Sequence, residues 1–270
     1  MTSDCTISVL RDVLRVYDHR FLDLDRDQRE RLVDGTRRVL GEDGLSDAAR
    51  AALPASYRLR AFCIQHGLRD ELERLVRDEV EGNPAGAVVV GGRVYALYPY
   101  LRGVPRQDAD ITAEVGVEQR LDAVARQGGS VRIRGRAALQ RVDTHRTSVE
   151  LVLRERASGA EHRFAAEARD DGFEARLDLA VPGPGRWDVH VAATALGVTR
   201  EARFGANRSP KLKTAAPDPA DPDAADPARR IIDAARDATV YLTGDGHLAV
   251  LVERAPRPPL RTRLRHRLSR

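Results

Sequence analysis

The sequence predicts an α+β chain in several parts, with an N-terminal helical bundle or linker followed by an antiparallel β-sandwich. Three observations predict it. Apolar residues recur at helical spacing through roughly the first eighty positions. Beyond position 85 the apolar period falls to two. Clusters of Gly and Pro then divide the alternating runs, as turns do between short strands. A chain of 270 residues with 42% hydrophobic and 32% charged content can bury such cores.

The helices come first. In "ISVLRDVLRVY", Ile7, Leu10, Val13, Leu14 and Tyr17 share one face. "DRDQRERLVDGTRRVL" turns Leu32, Val33, Val39 and Leu40 inward, with Gly35 as a candidate break. "LPASYRLRAFCIQHG" carries Pro54 at its start, where a missing N–H costs nothing, and stops at Gly67. "LRDELERLVRDEV" follows across that glycine and closes an αα-hairpin.

In "GAVVVGGRVYALY" two β-rich runs flank Gly91-Gly92, a two-residue turn suited to positive φ. Seven alternating runs follow: "DITAEVGVE", "SVRIRGRAAL", "SVELVLRER", "EHRFAAEA", "FEARLDLAV", "RWDVHVAATAL" and "TREARFGA". That count, with Trp187 placed to pack between sheets, predicts an immunoglobulin-like sandwich without a Cys–Cys bridge. A Pro/Ala/Asp-rich stretch then reads as an extended, disordered linker. Val240–Thr243 and His247–Val252 form a last hairpin around Gly244-Asp245-Gly246. An isolated hairpin is marginal in water, so this one must dock on the sandwich, on a sister subunit or on another partner. The expected divisions are 1–84 (helical), 85–109 (hairpin and connector), 110–207 (sandwich), 208–229 (linker), 230–253 (helix-turn and hairpin) and 254–270 (arginine-rich tail).

Charge is unevenly placed. From Arg254 to Arg270 there are seven arginines and no carboxylate, while the chain total is +4, so residues 1–253 carry about −3. The body should not attract polyanions by net charge. In the tail, Leu260, Leu264 and Leu268 recur every fourth residue among Arg257, Arg261, Arg263, Arg265, Arg267 and Arg270. A short amphipathic helix of this kind would put the leucines into an anionic surface and the arginines on its phosphates. Each basic residue near such a surface contributes about 1 kcal/mol. A solvated, disordered terminus is the alternative. Nucleic acid is disfavoured by an aromatic content of only 4%.

Catalytic and metal chemistry finds little support. "DAD" at Asp108–Asp110 lacks the preceding apolar strand that would present two carboxylates to a cation. "DLDRD" at Asp23–Asp27 has Gln28 and Asp34 where a calcium loop needs Gly and Glu. "GDGHLA" at Gly244–Ala249 is followed by a strand-like run rather than the helix a dinucleotide site requires. The seven histidines lack ligand spacing, and His66 reads as a helix C-terminal cation. Cys63 reads as a small core residue, and two cysteines make no disulfide framework. The expected catalytic set is empty, with no metal and no cofactor. No secretory leader or apolar span is visible, which predicts a cytoplasmic chain.

The run "LPASYRLRAFCIQHGLRDELERLVRDEVEGN" with "GGRVYALYPYLRG" resembles the region just after the catalytic domain of bacterial family 2 glycosyltransferases, of the wall-teichoic-acid poly(ribitol-phosphate) glycosyltransferase type. The resemblance implies a helical linker and C-terminal immunoglobulin-like modules that help the enzyme oligomerise. In that family an N-terminal nucleotide-sugar domain supplies the catalytic residues, and none of their positions has a match in this sequence. The expectation is therefore a non-catalytic accessory module, peripheral at the inner face of the membrane. Its expected partners are further copies of itself (a trimer among the options), a glycosyltransferase catalytic chain, and an anionic membrane surface or anionic glycopolymer, with no nucleic acid. The alternatives are a glycosyltransferase subunit acting with a separately encoded catalytic chain, and a β-sandwich scaffold without ligand.

Overall fold

The computed structural model describes residues 3–83, 85–144, 146–215, 230–235 and 238–253. The chain separates into two compact units. One holds Met1–Val115 with the short stretches Gln140–His145 and Leu196–Val198. The other holds Gly116–Leu139, Arg146–Ala195 and the described residues from Thr199 onward.

The first unit contains α1 (Ser3–Arg15), α2 (His19–Asp23), α3 (Arg26–Leu40), α4 (Asp47–Ala52), α5 (Ala55–His66), α6 (Arg69–Val80), the hairpin β1 (Gly86–Val90) and β2 (Arg93–Leu97), and the single turn α7 (Arg106–Ala109). Local chemistry sets the boundaries. Asp25 accepts from the Gln28 N–H at 2.8 Å while the Gln28 side chain accepts from the Asp25 N–H at 3.1 Å, a complete capping box for α3. Ser46 caps α4, and Gly67 ends α5 in the left-handed region at φ 69°. Gly35 does not break α3. Val33, Thr36 and Leu40 bury the helix on both sides of it, which outweighs a mid-helix glycine cost of about 1 kcal/mol. Leu14, Tyr17, Phe21, Leu59, Ile64, Leu72 and Leu75 form the core of this unit. Gly91 and Gly92, at φ 59° and 74°, make the turn expected for the β1–β2 hairpin.

The second unit is all antiparallel β: β3 (Val117–Gln127), β4 (Ser130–Leu139), β5 (Ser148–Glu155), β6 (Glu161–Arg169), β7 (Gly172–Asp178), β8 (Gly185–Ala195), β9 (Val198–Arg203), β10 (Arg230–Ala234), β11 (Ala238–Leu242) and β12 (Leu248–Val252). They are ordered β10-β11-β12-β8-β5-β6-β7-β4-β3, with β9 also on β8. The first half of β6 pairs with β5 and the second half with β7, so this strand carries the chain from one layer to the other. Between the layers lie Val131, Ile133, Leu151, Leu153, Phe173, Leu177, Trp187, Val189, Val240 and Val250. Trp187 is 3% exposed, and its indole N–H donates to the Gly183 carbonyl at 2.9 Å. The α+β class with a sandwich-like second half is as the sequence predicts.

Three local expectations are corrected. The first sandwich strand begins at Val117 rather than Asp110, because Asp110 bridges to Tyr95 and the residues after it are held in a turn by N–H donation from Glu114 and Val115 to the Ile111 carbonyl. The segment read as a helix-turn, Arg230–Ala234, is the strand β10, since β11 offers it an edge to pair with. The stretch expected as a disordered linker from 208 is ordered through 215, where the Ser209 N–H donates to the Leu121 carbonyl at 2.8 Å and Ala215 pairs with Ile231, and 216–229 lies outside the described residues. The terminal hairpin takes the first of its expected docking places, the sandwich: β12 pairs with β8 from Ala249–Asp188 to Val252–Gly185.

Candidate functional site

The two carboxylates of the "DAD" motif diverge to separate arginines. Asp108, 4% exposed, accepts from Arg50 Nε at 3.0 Å. Asp110 accepts from Arg93 Nη1 at 2.8 Å and from the Thr112 N–H at 2.8 Å. Between them the buried Arg58 donates to the carbonyls of Leu53 at 2.8 Å, Arg50 at 3.0 Å and Asp108 at 3.3 Å. Glu114 accepts from the Ala55 N–H at 2.7 Å and lies 3.5 Å from Arg58. This is an arginine-centred clamp that ties α4, α5 and α7 together.

The other motifs resolve the same way. Asp25 of "DLDRD" is consumed by the α3 capping box. Gly246, at φ 80°, makes the β11–β12 turn, and a strand follows it. His66 ends α5 with its ring 4.5 Å from that of Phe62. Cys63 is buried, and burial followed by the Glu71 charge pushes its thiol up to about 12. Among the described residues no group of three or more His, Cys, Asp or Glu is placed to hold a metal ion. No helix among them is long and apolar enough to cross a membrane. Arg257, Arg261, Arg263, Arg265, Arg267 and Arg270, with Leu260, Leu264 and Leu268, lie outside the described residues.

In the first unit a cleft of about 420 Å³ is lined by Ser56, Glu79, Tyr98, Glu114 and Arg141 among others. Glu79 is paired with the buried Arg60, and Glu114 belongs to the Arg58 clamp. Burial, then the charge of Glu79, raises the Tyr98 hydroxyl to about 12, so it remains protonated near neutral pH. Each carboxylate is paired with an arginine, and the buried Glu79 Oε1 has no hydrogen-bond partner among the described residues.

The sandwich displays its chemistry on its outer faces. Over β5, β8 and β9, Arg156 grips Asp188 through Nη2 at 2.7 Å and Nε at 3.0 Å, and Arg203 reaches the same carboxylate at 3.2 Å. Arg154 pairs with Glu161 at 2.7 Å and with Glu201 at 2.9 Å, and Glu201 also lies 3.3 Å from His190 Nδ1. On the face formed by β3, β4, β7 and β6, Arg120 pairs with Asp122 at 2.8 Å and Arg134 lies 3.7 Å from Glu174. One cross-strand pair there departs from this pattern: Arg132 stands opposite Arg176. No sequence motif marked it, because the register that sets the two side by side is a tertiary property.

Residues 110–220 match the model of the TarS beta-glycosyltransferase C-terminal domain 1. That match upholds, over those residues, the resemblance to the region following the catalytic domain of a wall-teichoic-acid glycosyltransferase. Among solved structures, S. aureus TarS 217–571 is similar at 11% identity and a TM-score of 0.52, over 93% of this chain and 70% of that one. At that identity the likeness is one of fold. S. aureus TarS is also matched, at 13% identity and a TM-score of 0.43, with 88% of this chain and 41% of that one covered. No curated protein matches the chain. The TarS-like fold thus extends over both units, and the family match lies on the sandwich.

Proposed function

We propose that this chain is a non-catalytic accessory and oligomerisation module of a cell-envelope glycosyltransferase system, working at the cytoplasmic face of the membrane. The match of residues 110–220 to a TarS C-terminal domain carries the reading. The clamp that consumes Asp108 and Asp110 supports the non-catalytic part, since those carboxylates were the best candidates for a cation. In this reading the sandwich self-associates or holds an anionic acceptor polymer. The tail arginines Arg257, Arg261, Arg263, Arg265, Arg267 and Arg270 add attachment to an anionic surface.

Liposome flotation with anionic lipid, comparing the full chain with a version ending at Glu253, tests the tail. The full chain should float and the shortened one should not, with the difference shrinking as salt is raised. Equal recovery of both would remove the tail from the model. Light scattering on the full chain tests self-association, and a monomer at all concentrations would remove that part.

A further inference from the structure

On the β3–β4–β7–β6 face, strand alternation sends Arg132, Arg134 and Arg136 outward, because Val131, Ile133 and Gly135, which alternate with them, are buried. On β7 the same alternation sends Glu174 and Arg176 outward around the buried Ala175. The register then decides which charges meet. Arg134 stands opposite Glu174, Arg136 opposite Arg120, and Arg132 opposite Arg176.

The second of these is a like-charge pair bridged by a carboxylate, since Asp122 lies 2.8 Å from Arg120 and 3.9 Å from Arg136. The third has no such bridge. Arg176 donates to the neutral amide oxygen of Gln127 at 3.2 Å, and Arg132 makes no hydrogen bond or ion pair among the described residues. On its other side Arg132 faces Ala125, while Glu174 and Asp178, the outward residues flanking Arg176 on β7, are engaged by Arg134 and by the Ala180 N–H. Directly opposed side chains on antiparallel strands have Cβ atoms roughly 5 Å apart, and like charges there are destabilising. An oxyanion seated between the two guanidinium groups reverses that sign.

We propose that Arg132 and Arg176 form a phosphate-binding site on the sandwich surface. Each guanidinium presents a planar fork of N–H donors, and a tetrahedral phosphate has enough oxygens to fill two forks at once. A carboxylate, with two oxygens, fills one. The site specifies how the sandwich would hold an anionic polymer, and it rests on that reading only for the source of the phosphate.

The test is thermal unfolding of the full chain in chloride and in inorganic phosphate or polyphosphate at matched ionic strength. The wild-type midpoint should rise saturably with either phosphate. Arg176→Glu should raise the midpoint in chloride, by giving Arg132 a partner, and abolish the phosphate response. Arg132→Gln should weaken the apparent phosphate affinity about tenfold or more, as expected for losing one charge-assisted contact. Side-chain Nε–H resonances of Arg132 and Arg176 that shift with phosphate would establish the site even where a variant folds poorly. Equal stabilisation of wild type and variants would overturn the proposal, as would a response confined to anionic vesicles. Flotation reads the tail and does not depend on these two substitutions, so failure of one idea leaves the other standing.

Discussion

Arg126 Nη2 donates to the Ala238 carbonyl across 2.7 Å, and the same guanidinium pairs with Asp233. These contacts join β3, at one end of the strand order, to β10 and β11 at the other. The register of β3 on β4 shifts between Leu121 and Ala123. A one-residue slip flips every later side chain, so Arg126, opposite the buried Val131, points inward. Arg126→Ala should cost about 1–3 kcal/mol, the range for losing a partly buried charge-assisted contact. Amide exchange should quicken more in residues 238–252 than in β5. Uniform exchange in the variant would show that this arginine does not close the sandwich.

Gly135 lies where β4 passes beneath Phe204. A Cβ there would sit 2.8 Å from the Phe204 ring and against the Arg120 carbonyl, and Phe204 is fully buried. Gly135→Ala should therefore destabilise by about 1–3 kcal/mol through overpacking. Urea denaturation measures it, and a second change, Phe204→Leu, should recover part of the loss.

Gly35 is the reverse case. Nothing lies within 4 Å of a Cβ built on it, and the helix runs through it unbroken. Gly35→Ala should stabilise the chain by about 0.5–1 kcal/mol, from helix propensity and a less flexible unfolded chain. An unchanged or lower urea midpoint would mean that α3 is not held as a continuous helix in solution.

Two histidines make the sandwich acid-sensitive. Burial, then the Arg154 charge, holds His190 below its ordinary value, with Glu201 and Asp188 opposing. Burial, then Arg203, does the same to His247. The unfolded chain therefore takes up protons first, and stability is whole above about pH 6.5 and is lost as pH falls through the depressed folded values. Urea midpoints should fall between about pH 7.5 and about pH 5.5, and His190→Gln with His247→Gln should flatten that slope.

Cys63 is buried in the helical core, with its thiol raised to about 12. With Cys5→Ser removing the other thiol, the folded chain should resist a thiol reagent and react fully in denaturant. Fast labelling of the native chain would contradict the helical packing.

The helices and the period-two runs were readable because each is written in local spacing. Asp25 and Gln28 announce α3, Gly67 ends α5, and Gly91-Gly92 makes a turn wherever it lies. The strand β10 is not legible in "RIIDAARD" taken alone, because that stretch becomes a strand by pairing with β11. The bulge in β3 was invisible for a related reason: a slipped register is a property of two strands, and Leu121 and Asp122 carry no mark of it.

The sequence by itself determined which segments coil, which extend, and that the body is mildly acidic beside a basic tail, since period and charge are additive along a chain. Only the tertiary structure decided that Asp108 and Asp110 serve Arg50 and Arg93, that the last hairpin completes the sandwich, and that Arg132 meets Arg176 without a carboxylate between them. Each of those outcomes depends on the distance between residues far apart in the chain, and the packing of the cores sets those distances.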